Sequence, residues 1–361
     1  MESLVLYYTA FGCSSVISSY SDRVIKNKRL KYVFAVLLPV LISTLRYGIG
    51  TDYFSYSYYY GEVASGNIST DIEPLFTTLN YLSFLIFNRY RGVLFLSSLL
   101  TCTLVYLSAT AVFSGWRSGL SVWIFYCVYF SASLNVMRQI IALSFVIFAL
   151  ANLKKGRIAI FMILTSIATF FHISAVVGFS FLFAYLLSRS KRGIYIYLAL
   201  NGAASVIFAL FGGRILSLLP EFIRTKYGKY FTNPLGRVVD FEFLVDILPS
   251  LLLVLIPAIC YLFFIKGRDE NSIFFLVSLL SVPVLMLGYS FSYFQRLIYY
   301  FDFANMFTFP IICKSMTKNR HACLLFVCVT LFFGFYFWYS SYYVGSNEIF
   351  PYRYVGILEV L

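Results

Sequence analysis

Charge is what this sequence has least of. Only 12% of its 361 residues are Asp, Glu, Lys or Arg, whereas a soluble domain carries about twice that share. That scarcity excludes an ordinary soluble enzyme of this length. Histidine is scarcer still. His172 and His321 are the two in the chain, and neither has a second His, Cys or carboxylate at metal-ligand spacing, so no metal site is expected. The seven cysteines form no CxxC pair and fall in or beside apolar runs. They read as small buried hydrophobes and exclude a disulfide frame. No Walker A loop, dinucleotide fingerprint, GxSxG or HExxH occurs, so nothing points to nucleotide chemistry or a cofactor. Internal repeats and low-complexity tracts are absent. The first apolar run has no basic residues ahead of it and no clear cleavage site. It is expected to be a retained helix with its start outside the cell.

What is present is hydrophobic sequence in long runs. Apolar residues make up 60% of the chain and the mean hydropathy is +0.82. Runs of about 18 or more apolar residues read as membrane spans. The expected fold is all-α: a polytopic integral membrane protein with about 12 transmembrane helices, forming one membrane domain over 1–361. The spans fall near 4–20, 31–47, 92–113, 118–134, 136–153, 157–171, 173–187, 193–211, 243–265, 272–289, 297–313 and 321–340. Segment 74–88 is apolar but short, and it follows Glu73-Pro74. As a full span it would invert every later loop, so it reads as one re-entrant or interfacial helix.

The net charge of +13 does not mark a nucleic-acid binder, because of where the charges sit. In this topology the inner loops hold 17 of the 28 Lys and Arg but only 3 of the 15 Asp and Glu. That is the positive-inside pattern. The two long loops, about 48–91 and 212–242, lie outside. Long loops carry function more often than short connectors, so the working face is expected to be the outer one. Of the eleven basic residues left over, nine are Arg and two are Lys. Arg presents a fixed fork to phosphate or carboxylate, which suggests an anionic ligand on that face. Snorkelling at helix ends explains single arginines equally well.

Four clusters carry chemistry. In Arg46-Tyr47-Gly48-Ile49-Gly50-Thr51-Asp52-Tyr53, the glycines let the chain turn sharply and bring Asp52 back towards Arg46. Asp52 then reads as a general base or as a salt-bridge partner; Glu73 is a second outer acid with the same two readings. In Asn135-Val136-Met137-Arg138-Gln139, residues Asn135, Arg138 and Gln139 stand at i, i+3 and i+4 on one helix face, and a charge just inside a span is costly enough to suggest function. Phe171-His172-Ile173-Ser174 marks an outer turn whose histidine is either structural or catalytic. Finally Tyr293, Arg296, Tyr299 and Tyr300 form a stripe suited to pyrophosphate plus sugar. Tyrosine belts at membrane interfaces are the plain alternative for the aromatics.

These clusters, in this order, resemble the EpsG/Wzy group of bacterial polysaccharide polymerases. The likeness also takes in Glu73-Pro74-Leu75-Phe76 and Pro351-Tyr352-Arg353, and runs from about 46 to 353. It implies oligosaccharide repeat units on undecaprenyl pyrophosphate as substrates, at the outer leaflet of the bacterial inner membrane. The growing chain would pass to the next lipid-linked unit by attack of an acceptor hydroxyl on the anomeric carbon. In that chemistry Arg46, Arg138 and Arg296 support the leaving diphosphate without a metal. Tyr53, Glu73, Asn135, Gln139, Tyr293, Tyr299 and Tyr300 complete the binding set, and Asp52 or, second, His172 is the base. The partners are lipid-linked oligosaccharides and membrane lipids, with room for a chain-length regulator. The rival readings are an O-antigen ligase, a flippase for lipid-linked sugars and a membrane O-acyltransferase.

Overall fold

The computed structural model describes residues 2–20, 27–67, 72–217, 221, 241–264, 271–290, 296–315 and 319–354. It is helical throughout, and among the described residues the only β pairing is an isolated bridge between Arg46 and Tyr354. The chain forms two compact units. One comprises Met1–Val176 with Met316–Leu361, the other Val177–Ser315.

The first unit is built from α1 (Glu2–Ser19), α2 (Lys28–Leu45), α3 (Tyr53–Ala64), α4 (Pro74–Phe87), α5 (Tyr90–Val112), α6 (Trp116–Ser133), α7 (Met137–Lys154) and α8 (Ile158–Phe171), closed by α16 (Asn319–Phe337). Local signals start and stop these helices. Asn27 caps α2 by accepting from the backbone of Arg29 and Leu30 at 3.0 and 3.2 Å. Pro74 opens α4, where its missing N–H costs nothing, and left-handed Asn88 ends it. The interior is aromatic where α1, α6 and α16 meet: Phe11 stacks on Tyr126 at 5.4 Å and meets Phe337 edge-on at 5.2 Å. Small residues let the backbones close up. A Cβ on Gly119 of α6 would collide with the Ser15 carbonyl of α1. Several buried serines are satisfied by carbonyls one turn back, as Ser98 is by Leu94 at 2.8 Å. That is how a polar residue survives in so apolar a chain.

The second unit holds α9 (Ser180–Ser188), α10 (Lys191–Ser217), α11 (Phe241–Phe264), α12 (Ser272–Leu279), α13 (Ser281–Ser290), α14 (Tyr299–Asp302) and α15 (Asn305–Ser315). Here α10 packs on α9 and α13, and α11 packs on α12 and α15. Tyr197 and Asn201 of α10 tie to the Leu276 and Leu279 carbonyls at 2.6 and 3.0 Å.

Among the described residues, four helices are long and apolar enough to cross a membrane: Tyr90–Val112, Met137–Lys154, Lys191–Phe211 and Arg320–Tyr343. Every apolar run expected to span is helical where described, yet several are broken. The 272–289 run splits after Leu279, because Pro283 lacks an N–H and its ring crowds the carbonyl four residues back. The 173–187 run is a 3-10 stretch, Ile173–Phe179, followed by the nine residues of α9. The 297–313 run breaks between α14 and α15. Residues 74–87 form the short helix expected of an interfacial segment, but the loop before it also contains α3, which was not expected. The cysteines divide. Cys102, Cys127 and Cys313 are buried, while Cys13, Cys323 and Cys328 are exposed on helix faces, so the expectation of uniform burial is corrected.

Candidate functional site

Three of the sequence clusters meet in the first unit. Glu73 stands one residue before α4, held there by the Pro74 start. Arg138 is in the first turn of α7. His172 ends α8 in an extended conformation, φ −158° and ψ 122°, which lifts its ring out of the helix. The Glu73 carboxylate joins them. One oxygen, Oε2, accepts from Arg138 Nη1 at 2.6 Å. The other, Oε1, lies 2.7 Å from His172 Nδ1 and accepts from the Ile173 N–H at 3.3 Å. The Tyr56 phenol of α3 also hydrogen-bonds Arg138. Arg138 and Glu73 are 28% and 15% exposed and His172 is 14% exposed, so the cluster is half-dry yet open to a ligand.

The electrostatics favour an ionised Glu73. Burial pushes its carboxyl up, but the His172 hydrogen bond and the nearby His172 and Arg138 charges outweigh that and bring it down to about 2. A fixed carboxylate on Nδ1 makes that nitrogen the donor. It leaves Nε2 of a neutral His172 as the free base.

A second arginine sits differently. Arg46 caps α2 and is fully buried. Its Nη1 donates to the Leu134 carbonyl at 2.5 Å, its Nη2 reaches Met137 Sδ at 3.5 Å, and its guanidinium lies 5.8 Å from the Tyr53 ring centre. Tyr7, Tyr90 and Tyr352 also lie around it. The expected approach of Asp52 to Arg46 is not what the chain does. Asp52 sits at the N-cap of α3, where its backbone N–H points at Asn135 Oδ1, 3.5 Å away, and Thr51 donates to the same oxygen at 3.1 Å.

Asn135 also departs from expectation. It does not share a helix face with Arg138 and Gln139, because α7 starts only at Met137. It occupies the turn between α6 and α7, is buried, and binds outward: its Nδ2 donates to the Asn347 carbonyl at 2.8 Å. Gln139 points into the core. Gly50 makes this approach possible. Its φ is +96°, and a Cβ there would lie 2.5 Å from Asn135 Oδ1. Tyr53 is buried, with Tyr90 edge-on at 5.4 Å.

Sequence reasoning missed two contributors. Tyr56 stands in a tyrosine-rich stretch with Tyr53 and Tyr58 to Tyr60, where nothing in the sequence marks it out from its neighbours. The segment 346–354 returns to the α2 exit, where Tyr47 N–H bonds the Arg353 carbonyl at 3.0 Å and Gly50 N–H bonds that of Glu348 at 3.3 Å. The Pro351-Tyr352-Arg353 likeness was the available signal for it. Arg296, Tyr299 and Tyr300 belong to the second unit, where Tyr300 is buried and Arg296 exposed. Tyr293 lies outside the described residues. Among the described residues, no three of His, Cys, Asp and Glu converge on a metal-sized site.

The family model described as the EpsG family matches residues 29–354. That interval contains every residue placed above from Arg46 to Arg353. No curated protein and no solved structure matches the chain.

Proposed function

We propose that this chain, which belongs to the EpsG family, polymerises undecaprenyl-pyrophosphate-linked oligosaccharides at the outer face of the inner membrane. Family membership and the apolar helices make it a membrane protein of polysaccharide-polymerase type. The finer reading rests on one observation, the Glu73 carboxylate shared between His172 and Arg138.

The reaction needs a base for the acceptor hydroxyl and cationic support for the departing diphosphate. His172 Nε2 takes the hydroxyl proton as the oxygen attacks the anomeric carbon. The bond from that carbon to the diphosphate oxygen breaks, and undecaprenyl pyrophosphate leaves with the electron pair. Glu73 holds the imidazole in the right tautomer and steadies the imidazolium that forms, the role a carboxylate plays behind a catalytic histidine elsewhere. Arg138 stands on the other oxygen of the same carboxylate, placed to meet negative charge as it develops. Asp52 is the alternative base. Its setting beside Asn135 and Thr51 gives it no base-orienting partner comparable to the one His172 has.

The test is polymer formation from purified lipid-linked units. His172→Gln should lose about 10²–10⁴-fold in turnover per folded molecule, the usual worth of a general base, beyond whatever the lost Glu73 contact takes from its melting temperature in detergent. Wild-type turnover per folded molecule in that variant sinks the assignment. The topology, with about a dozen spans and an outward site, is checked separately in intact spheroplasts lacking native cysteines. A cysteine at Ser65 should react with an impermeant thiol reagent and one at Lys154 should not; the reverse pattern moves the site to the inner face.

A further inference from the structure

An open cavity of about 400 Å3 lies where the segment 346–354 crosses the exit of α2. That size suits a small-molecule cleft, which typically runs about 300–1,000 Å3. Gly48 and Ile49 form one wall. The other walls come from the end of the last long helix and the segment after it: Ser341, Tyr342, Glu348, Phe350 and Arg353. Tyr342 and Phe350 stand edge-to-face with ring centres 5.3 Å apart. No side-chain hydrogen bond or ion pair occupies Glu348 or Arg353 among the described residues.

The backbone here is strained in a specific place. Asn347 and Glu348 both hold positive φ, 68° and 49°, at a cost of about 1–2 kcal/mol each. The same residues are pinned to the candidate site. The Asn347 carbonyl takes the Asn135 amide, Asn347 Nδ2 donates to Ser131 Oγ at 3.2 Å, and the Glu348 carbonyl takes the Gly50 N–H. Strain held by that many partners turns the Glu348 side chain to the cavity and ties the cavity to the turn that carries Arg138.

We infer that this cavity is a saccharide subsite, taking a neutral sugar of the substrate or growing chain beside the reacting centre. The chemistry selects that class. A diphosphate pocket would collect cations, and a carboxylate in its wall with no cation on it would repel the ligand. A lipid chain would need neither charge. A carboxylate that accepts, a guanidinium that donates, a serine hydroxyl and an aromatic wall together match a ring bearing several hydroxyls. The inference rests on the proposed polymerase reading for the identity of the sugar, but not for the binding itself.

Binding is measured on the full chain in detergent by saturation-transfer NMR. The probe is a lipid-free oligosaccharide released by hydrolysis from the host cell's surface polysaccharide. Wild type should bind it, and inorganic pyrophosphate should not displace it. Glu348→Gln, Arg353→Gln and Tyr342→Ala should each weaken binding about tenfold or more, the worth of one charge-assisted hydrogen bond or stacking wall. Glu348→Gln keeps the shape of a strained position, and Tyr342→Phe keeps the wall, so binding retained in the latter guards against misfolding as the cause. His172→Gln should bind as wild type does. Displacement by pyrophosphate, or unchanged affinity in the three variants at wild-type melting temperature, overturns the subsite. Loss of binding in those variants from a chain that forms no polymer upholds the subsite and removes the polymerase reading.

Discussion

Arg46 at the end of α2 and Arg138 at the start of α7 lie in one unit, and their surroundings are opposite. Arg46 is sealed. A carbonyl, a thioether and a tyrosine ring hold its guanidinium, and its Nε finds no partner among the described residues. Arg138 is 28% exposed and faces a carboxylate that a histidine shares. A buried cation with only dipoles around it has no route to a bulky lipid-linked substrate. Its contact with the Leu134 carbonyl fixes the turn before α7, and thereby where Arg138 starts. On the proposed reading, the sealed arginine builds the site and the open one works in it.

The largest effect that tests this division comes from Arg46→Ala. The variant empties a buried volume and strips the Leu134 carbonyl of its donor, which should cost about 3–5 kcal/mol of stability. A melting curve in detergent should show that loss, with activity falling in step with the folded fraction. A normally folded but inactive Arg46→Ala would break the comparison by making Arg46 a substrate ligand. Next is Arg138→Ala, expected to lose about 10²–10³-fold in turnover per folded molecule, as removal of a preorganised charge donor does, with a fall in melting temperature from the broken Glu73 pair. Arg138→Lys should recover little, because the lysine lacks the fork that reaches Glu73 and Tyr56 together.

A pH series sharpens the comparison further. Glu73 is lowered from 4.5 to about 2 in the folded protein, so its stabilisation is complete above about pH 4.5 and fades as pH falls towards 2. The size is ~3 kcal/mol at most. Glu73→Gln should lower the melting temperature near neutrality and flatten its fall between those two pH values. An unchanged acid limb in the variant would show that the carboxylate is not bound in this way. The smallest effect is expected from Asp52→Asn, less than about tenfold in turnover, since the Asp52 side chain makes no capping bond to α3 and has no imidazole to orient. A loss on the general-base scale of about 10²–10⁴-fold would return the base to Asp52.

Much of the site was legible residue by residue, and little of it as an assembly. Glu73, Arg138 and His172 each stood out as a polar group at the border of an apolar run. Nothing local joins them, because 65 and 99 residues separate Glu73 from its two partners. The helix α3 was missed because its Tyr and Ser mixture has no apolar stripe; its inner face is made by tyrosines, Tyr53 and Tyr59, that hydropathy counts as neutral. The broken runs were missed for a related reason. A window average registers how apolar 272–289 is and is blind to a proline that interrupts its hydrogen bonds. Asn135 was misplaced by two residues of helix, enough to take it off the face it was assigned.

The return of segment 346–354 has a bearing on biosynthesis. Asn135 and Gly50 take partners that follow them by 212 and about 300 residues, and Tyr7 bonds the Ile349 carbonyl across 342. During translation the earlier helices must enter the bilayer with those groups still waiting, since contacts this distant in sequence close last. A ribosome that stops before residue 346 therefore releases a chain with inserted helices but an unfinished pocket wall and a loose α6–α7 turn.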